Sequence, residues 1–152
     1  MGIKIISDNR KAFHDYHILE KFEAGLVLTG SEVKSLRAGH VQLKDSYVIF
    51  KSGDELWLQN VHISIYAASS YNNHEPERLR KLLMHRREID KIIAQMKEKG
   101  LTMVPLKIYF KEGKAKVEVA LVKGKKAYDK REDIKKRDVK RELDQLKRSQ
   151  GR

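Results

Sequence analysis

Apolar residues recur at every second position in several short stretches of this chain, and this period restricts the fold more than any other feature. In residues 16–28 six such side chains share one parity: Tyr16, Ile18, Phe22, Ala24, Leu26 and Leu28. A period of two is typical of a strand with one buried face. Residues 46–66 and 101–123 each hold two β-rich runs around a short turn, "KSGDE" and "KEGK", and these predict two hairpins. Gly25 predicts a bulge or bend in the first strand, and Pro105 predicts a sheet edge or a bulge.

Two stretches have helical patterns instead. Residues 30–39 predict a two-turn helix capped by Ser31 and ended by Gly39, and residues 86–100 predict a longer helix with an apolar stripe. Residues 79–85 favour a short strand, whereas residues 1–13 are a polar, basic lead-in with no predicted element. About six strands with two to three helices indicate a mainly β fold, an antiparallel barrel of the oligonucleotide-binding (OB) type.

The charge of the chain limits its partners. The 152 residues suffice for one domain with a hydrophobic core, and their formal net charge is +12. Such an excess favours a polyanion, with nucleic acid as the first candidate and an anionic membrane surface as the second. The chain contains no cysteine, a signal peptide is not apparent, and no stretch has the length and apolar character of a spanning helix. We therefore expect a cytoplasmic protein without a membrane association.

The last 29 residues differ from the rest. Residues 124–152 contain twelve Lys or Arg against six Asp or Glu, and too few apolar residues to offset the loss of chain entropy on folding. We predict a barrel domain over residues 1–123 and a basic tail over residues 124–152, disordered alone and helical when bound.

Signatures of catalysis are absent from the sequence. It contains no zinc-protease helix motif, phosphate-binding loop, nucleophile elbow or dinucleotide turn. His14 and His17 are expected to enter a strand and point to opposite sides, and Glu20 and Glu23 have opposite parity there. We therefore predict no enzyme activity, no metal site and no cofactor.

Basic residues alternate with aromatic and hydrogen-bonding residues in four stretches: "DNRKAFHDYH", "VKSLR", "LRKLLMHRR" and "KGKKAYDKR". Lys and Arg bind phosphates, while His and Tyr stack on bases or sugars. Each stretch alone is a weak signal, because a charged run is usually a solvated face. Together on one small barrel they favour RNA binding.

Longer stretches of the sequence resemble the SmpB family, the SsrA-binding proteins of bacterial ribosome rescue. The similar segments are "NRKAFHDYHILEKFEAGLVLTGSEVKSLRAG" (9–39), "DSYV" (45–48), "RKLLMHRREID" (80–90) and "VKGKKAYDKREDIKKRD" (122–138). The resemblance implies an OB-type barrel that binds the tRNA-like domain of transfer-messenger RNA. It further implies delivery of that RNA to the A site of stalled ribosomes for trans-translation, with elongation factor Tu and alanyl-tRNA synthetase as indirect partners. The tail is then expected near the decoding centre and in the empty mRNA channel of the small subunit, and the protein is expected to be a monomer.

The same resemblance implies the functional residues. The RNA-binding set comprises Asn9, Arg10, Lys11, His14, Tyr16, Glu23, Lys34, Arg37, Leu83 and His85. The ribosome-binding set in the tail comprises Gly124, Lys125, Lys126, Asp129, Lys130, Arg131, Ile134 and Lys135. Several of them have a structural alternative to RNA contact. Tyr16 and Leu83 could pack in the core, His85 could pack at the start of a helix, and Lys34 and Arg37 could lie on a solvated face. Glu23 either accepts bonds from base amino groups or 2'-hydroxyls of the RNA, which we favour, or orders the neighbouring Lys21 and His17.

Two other functions remain open at the level of sequence. One is a general single-strand-binding or RNA-chaperone barrel, which would bind unrelated RNAs alike. The other is an RNA-processing nuclease that uses His14 and Glu23.

Overall fold

Strands and three helices account for most of the chain that the structure, a computed structural model, describes: residues 3–51, 54–65, 74–124 and 141. In chain order the elements are β1 (Ile3–Asp8), α1 (Arg10–Asp15), β2 (Tyr16–Leu26), α2 (Gly30–Arg37), β3 (Val41–Gln42), β4 (Tyr47–Lys51), β5 (Glu55–Gln59), β6 (His62–Ile63), β7 (Arg80–Leu83), α3 (Arg86–Lys99), β8 (Thr102–Lys111) and β9 (Lys114–Gly124). None of these helices combines the length and apolar character needed to cross a bilayer. The mainly β class and both hairpins are confirmed.

Seven strands form one antiparallel sheet in the order β1-β8-β9-β2-β7-β5-β4, while β3 and β6 form a separate pair. The sheet curls so that β4 packs against β8, but hydrogen bonds do not join its two edge strands, β1 and β4. The predicted OB-type antiparallel barrel of about six strands is thus a curled seven-stranded sheet whose ladder is open between β1 and β4.

The main core lies on the concave face of this sheet. Side chains from β2, β5, β8 and β9 pack there against α3, whose Ile92 is fully buried. Helix α3 ends at Gly100, which has a positive φ of 61°, as the predicted stop requires. A smaller apolar cluster lies under α1, where Ala12 packs against Val104 and Ala120. Helix α1 therefore covers one end of the outer face of the sheet.

The N-terminal prediction was wrong, because residues 1–13 contain both β1 and most of α1. Strand β1 pairs with β8 from Ile3 opposite Lys111 to Asp8 opposite Lys107. Ile3 and Ile5 remain exposed and only Ile6 of this strand packs against the core, so backbone pairing contributes more to β1 than apolar burial does. Such a strand has no strong periodic signal in the sequence.

Two details of strands and caps also differ from the prediction. The bulge of β2 lies between Ile18 and Glu20 rather than at Gly25, whereas the predicted irregularity at Pro105 is confirmed by a register shift in β8. The cap of α2 is Thr29, which forms a capping box with Glu32. The hydroxyl of Ser31, the residue predicted to be the cap, lies 2.8 Å from His74 Nδ1.

A buried ion network ties α2 to β7. Glu32 is fully buried, and its carboxylate accepts hydrogen bonds from Arg80 Nε at 2.5 Å and Arg78 at 2.5 Å. Arg80 also donates to the backbone carbonyls of Val61 (2.5 Å) and Pro76 (2.9 Å). Burial opposes ionisation of Glu32, but the bonds from Arg78, the Thr29 amide and Arg80 outweigh it, and the pKa of Glu32 lies below its ordinary value.

Candidate nucleic-acid interface

Helix α1 is a short basic helix that Asn9 fixes to the body of the protein. The Asn9 side chain is buried and donates to the carbonyls of Leu43 (3.3 Å) and Pro105 (2.9 Å). Its Oδ1 accepts from the Ala12 amide, capping the helix. Both ends of the Asn9 amide are therefore engaged within the protein, and the residue positions α1.

Three of the predicted RNA-binding residues, Arg10, Lys11 and His14, lie exposed on α1. Lys11 Nζ is 2.7 Å from an Asp45 carboxylate oxygen, and this hydrogen bond raises the pKa of Lys11. His14 lies in this helix, with its Nδ1 3.0 Å from Asp15, and not in a strand as predicted. The helix thus presents its cationic and imidazole groups to solvent together.

Tyr16 begins β2 at the foot of α1. It is half-buried against the small apolar cluster, and with Tyr47 it lines a cavity of about 210 Å³ beneath Lys11 and Asp45. Tyr16 therefore has both environments proposed from sequence, a packed inner side and an accessible outer side.

Glu23 lies further along β2 on the outer face of the sheet, where protein groups hold its carboxylate. The buried Tyr109 hydroxyl donates to Glu23 at 2.5 Å, and Lys111 Nζ lies 3.5 Å away. The Tyr109 bond, aided by Lys111, lowers the pKa of Glu23, and burial together with Glu23 raises the pKa of Tyr109. Glu23 is therefore an ionised acceptor held by two residues of β8, whereas the sequence considered Lys21 and His17 as the neighbours that it would order.

Leu83 lies opposite Gly25 where β7 pairs with β2, and about half of its surface is exposed. A groove of about 260 Å³ opens beside it, lined by Gly25, Leu83 and, from α2, Val33. Gly25 leaves this side of the groove open, since a Cβ there would lie 3.3 Å from the Leu83 Cβ. His85 follows as the N-cap residue of α3, exposed and without a capping side-chain bond.

Helix α2 borders the same groove. Lys34 and Arg37 are exposed on it, and the Arg37 guanidinium lies 5.8 Å from the centre of the Phe110 ring. The structure therefore brings Glu23, Leu83 and α2 to one region of the outer surface. Helix α1 covers the other end of the same sheet face.

Sequence reasoning missed the lysines of the β8–β9 hairpin. Lys107 and Lys111 on β8, and Lys114 and Lys116 on β9, share the outward parity of Glu23. In "LKIYFKEGKAKVEV" lysines alternate with apolar residues, and this pattern could have predicted one exposed basic face. Only the strand order places that face beside Glu23 and Leu83.

Of the tail residues predicted to bind the ribosome, only Gly124 is described. It ends β9 opposite Tyr16, so the strand extends one residue past the predicted boundary. The others lie outside the described residues: Lys125, Lys126, Asp129, Lys130, Arg131, Ile134 and Lys135.

The geometry also bears on metal and nuclease chemistry. Within the described ranges no cluster of three or more His, Asp or Glu could hold a metal ion. Glu23, in β2, contacts Tyr109 and Lys111. His14 lies in α1 and contacts Asp15 of the same helix. The structure does not bring these two residues together as an acid–base pair.

Comparison with known proteins decides the family. The family model described as "SmpB protein" matches residues 6–149. The chain belongs to the SmpB family. Among its SmpB relatives, the SsrA-binding protein of Bdellovibrio bacteriovorus is 66% identical over 138 residues, covering 91% of this chain and 90% of the relative. The SsrA-binding protein of Geobacter sulfurreducens is 55% identical over 152 residues, covering 100% and 99%.

The SmpB fold is also found among solved structures. One chain, from a structure named "tmRNA-SmpB: a journey to the center of the bacterial ribosome", is 52% identical to this one. It superposes with a TM-score of 0.67, covering 80% of this chain and 85% of the other. At this level of identity both the fold and the family are shared.

Proposed function

We propose that this SmpB-family chain binds the tRNA-like domain of transfer-messenger RNA and delivers it to the A site of stalled ribosomes for trans-translation. The observation that supports this most directly is the joint placement of the basic helix α1, Glu23 and Leu83 on one side of a β scaffold. The similarity to a chain of a tmRNA–SmpB ribosome structure supports the same partner.

The proposed contacts follow from exposure. Arg10 and Lys11 are accessible cations for phosphates, and Tyr16 and His14 are accessible rings for a base or ribose. Asn9 contributes by holding α1 in place, since its own amide is engaged.

On the groove side, Leu83 supplies the exposed apolar contact beside Glu23. Lys34 and Arg37 are exposed on α2, whose Val33 lines that groove, and the exposed His85 precedes α3 two residues after Leu83. An ordinary soluble domain buries or scatters such apolar side chains, whereas a ligand site concentrates them next to polar groups.

Residues 124–152 form a separate functional segment in this proposal. Their excess of Lys and Arg suits the phosphates of the small-subunit mRNA channel and decoding centre, where the tail takes helical form. The protein then stands in for the missing codon–anticodon contact as a cytoplasmic monomer and carries out no covalent chemistry. Elongation factor Tu and alanyl-tRNA synthetase act on the RNA that it carries.

Competition binding tests the RNA partner. The protein is titrated into labelled tRNA-like domain with ordinary tRNA as competitor, at about 50 and about 200 mM salt. Selective binding at both concentrations is expected, and Arg10→Gln/Lys11→Gln should weaken it, whereas Lys51→Gln/Lys97→Gln should not. Equal binding of unrelated RNAs would instead indicate a general RNA chaperone, and reproducible cleavage lost in His14→Ala would indicate a nuclease.

Truncation tests the tail. A chain ending at Gly124 keeps all described strands, so its affinity for the tRNA-like domain should stay within about twofold of the full chain, while peptide tagging on stalled ribosomes is lost. Equal loss of RNA affinity and of tagging would contradict the proposal that the tail acts on the ribosome and not in RNA binding.

A further inference from the structure

The outer face of the β8–β9–β2 region is an ordered cationic surface. Directly paired residues across adjacent strands point to the same face. The outward positions of these three strands carry five lysines and two glutamates: Lys21, Lys107, Lys111, Lys114, Lys116, Glu23 and Glu118. We call these seven residues the lysine face.

The two glutamates brace lysines on both sides of the face. Glu118 lies 3.9 Å from Lys21 and 3.8 Å from Lys107, and Glu23 lies 3.5 Å from Lys111. Glu118 reduces the repulsion between two lysines and Glu23 offsets the charge of one, but five positive charges against two negative ones leave the face cationic.

Lys114 and Lys116 differ from the other three lysines of the face. Among the residues that the structure describes, neither lies within ion-pair distance of a carboxylate, although the charge of Lys116 helps to lower the pKa of Glu23, and both line the groove beside Leu83. Lys114 and Lys116 are the charged residues of a cleft whose other lining residues are Gly25 and apolar side chains, and we call these two lysines its rim and the apolar residues its floor.

The cleft also limits the size of its occupant. Its volume of about 260 Å³ lies below the range of about 300–1,000 Å³ typical of pockets for drug-sized ligands. A single base or ribose fits, with its phosphates on the lysine rim. An acidic peptide would satisfy the lysines but would leave the apolar floor beside Leu83 and Ala115 unused.

We propose that the lysine face extends the RNA-contact surface of Glu23 and Leu83: Lys114 and Lys116 bind the phosphodiester backbone, and the groove beside Gly25 and Leu83 takes one unpaired nucleotide. This inference rests on the proposed RNA-binding function and adds residues that the family resemblance did not assign. The charge complementarity of the rim and the apolar floor select RNA as the occupant.

Salt-dependent binding of the tRNA-like domain tests the lysines. Each phosphate contact contributes about −0.7 to −0.9 to the slope of log K against log salt, so Lys114→Gln/Lys116→Gln should make the slope shallower by about 1.4 to 1.8. Lys51→Gln/Lys97→Gln removes the same charge near β4 and α3 and should leave the slope unchanged. An unchanged slope in the first variant, or an equal change in both, would overturn the proposal.

The groove has its own matched pair of variants. Gly25→Ala places a methyl group against Leu83 and should weaken binding severalfold with no change of salt slope, whereas Gly30→Ala meets no atom within 4 Å and should bind normally. Urea midpoints verify that both variants are folded. Normal binding by folded Gly25→Ala would exclude the nucleotide from the groove. If the wild type still selects the tRNA-like domain over tRNA while these variants have no effect, only the lysine-face proposal fails and the proposed function stands.

Discussion

Arg80 offers the sharpest test of how this fold is stabilised. Its guanidinium is buried and donates to the Glu32 carboxylate and to the backbone carbonyls of Val61 and Pro76. Arg80→Met preserves much of the packing volume but removes all of these donors. A fully buried carboxylate then keeps only Arg78 and the Thr29 amide as partners.

The expected cost follows from this geometry. Removing one partner of a buried ion pair costs about 3–5 kcal/mol, because the remaining charge is left uncompensated. Domains of this kind have unfolding free energies of about 5–15 kcal/mol, so the variant should lose a large fraction of its stability. Arg78→Met is the matched control, since the Arg78 side chain is 34% exposed and water can replace part of its bond to Glu32. We expect about 1 kcal/mol there.

Urea unfolding monitored by the fluorescence of Trp57 measures both values. A double substitution, Arg80→Met with Glu32→Leu, should cost less than the sum of the single changes, because it removes the buried charge together with its partner. A loss below about 1 kcal/mol in Arg80→Met, or an additive double variant, would refute the claim that Glu32 depends on Arg80.

Three further predictions concern titration and capping. Stability that depends on the lowered pKa of Glu32 is complete above its ordinary value of 4.5 and is lost as the pH falls through the folded pKa, so the urea midpoint should fall over that acid range, and less in Glu32→Gln. Tyr109→Phe removes the hydrogen bond that lowers the pKa of Glu23; NMR titration of that carboxyl should give a higher pKa, and an unchanged one would contradict the contact. Asn9→Ala should cost about 2 kcal/mol through the lost cap and two unpaired carbonyls, measured by urea unfolding; a loss under about 0.5 kcal/mol would show that Asn9 does not anchor α1.

The candidate site was predictable in its composition but not in its assembly. The basic and aromatic residues around Arg10 and Tyr16 indicated RNA binding from the local sequence, together with three similar stretches elsewhere in the chain. That Asn9 is an internal anchor depends on Leu43 and Pro105, which lie 34 and 96 positions away in sequence. Contacts between residues so far apart produce no periodic pattern in a single sequence, so they cannot be predicted from it.

The role of Glu23 depends in the same way on distant parts of the chain. A carboxylate in a basic stretch was ambiguous from sequence, and its partners within the protein are set by the strand order, in which β9 lies between β2 and β8. That order brings Tyr109, 86 positions away, to within 2.5 Å of Glu23. The lysine face arises from the same order.

By itself the sequence determined the local elements: both hairpins, the helices α2 and α3, and the cationic character of residues 124–152. Hydrophobic period, turn residues and charge act between near neighbours, so they can be read without knowing the fold. Only the tertiary structure decided that β1 is a strand, that the ladder stays open between β1 and β4, and that Glu32 is buried with Arg80. Each of these depends on hydrogen bonds or desolvation supplied by segments that are distant along the chain, and these energies exist only once the sheet has assembled.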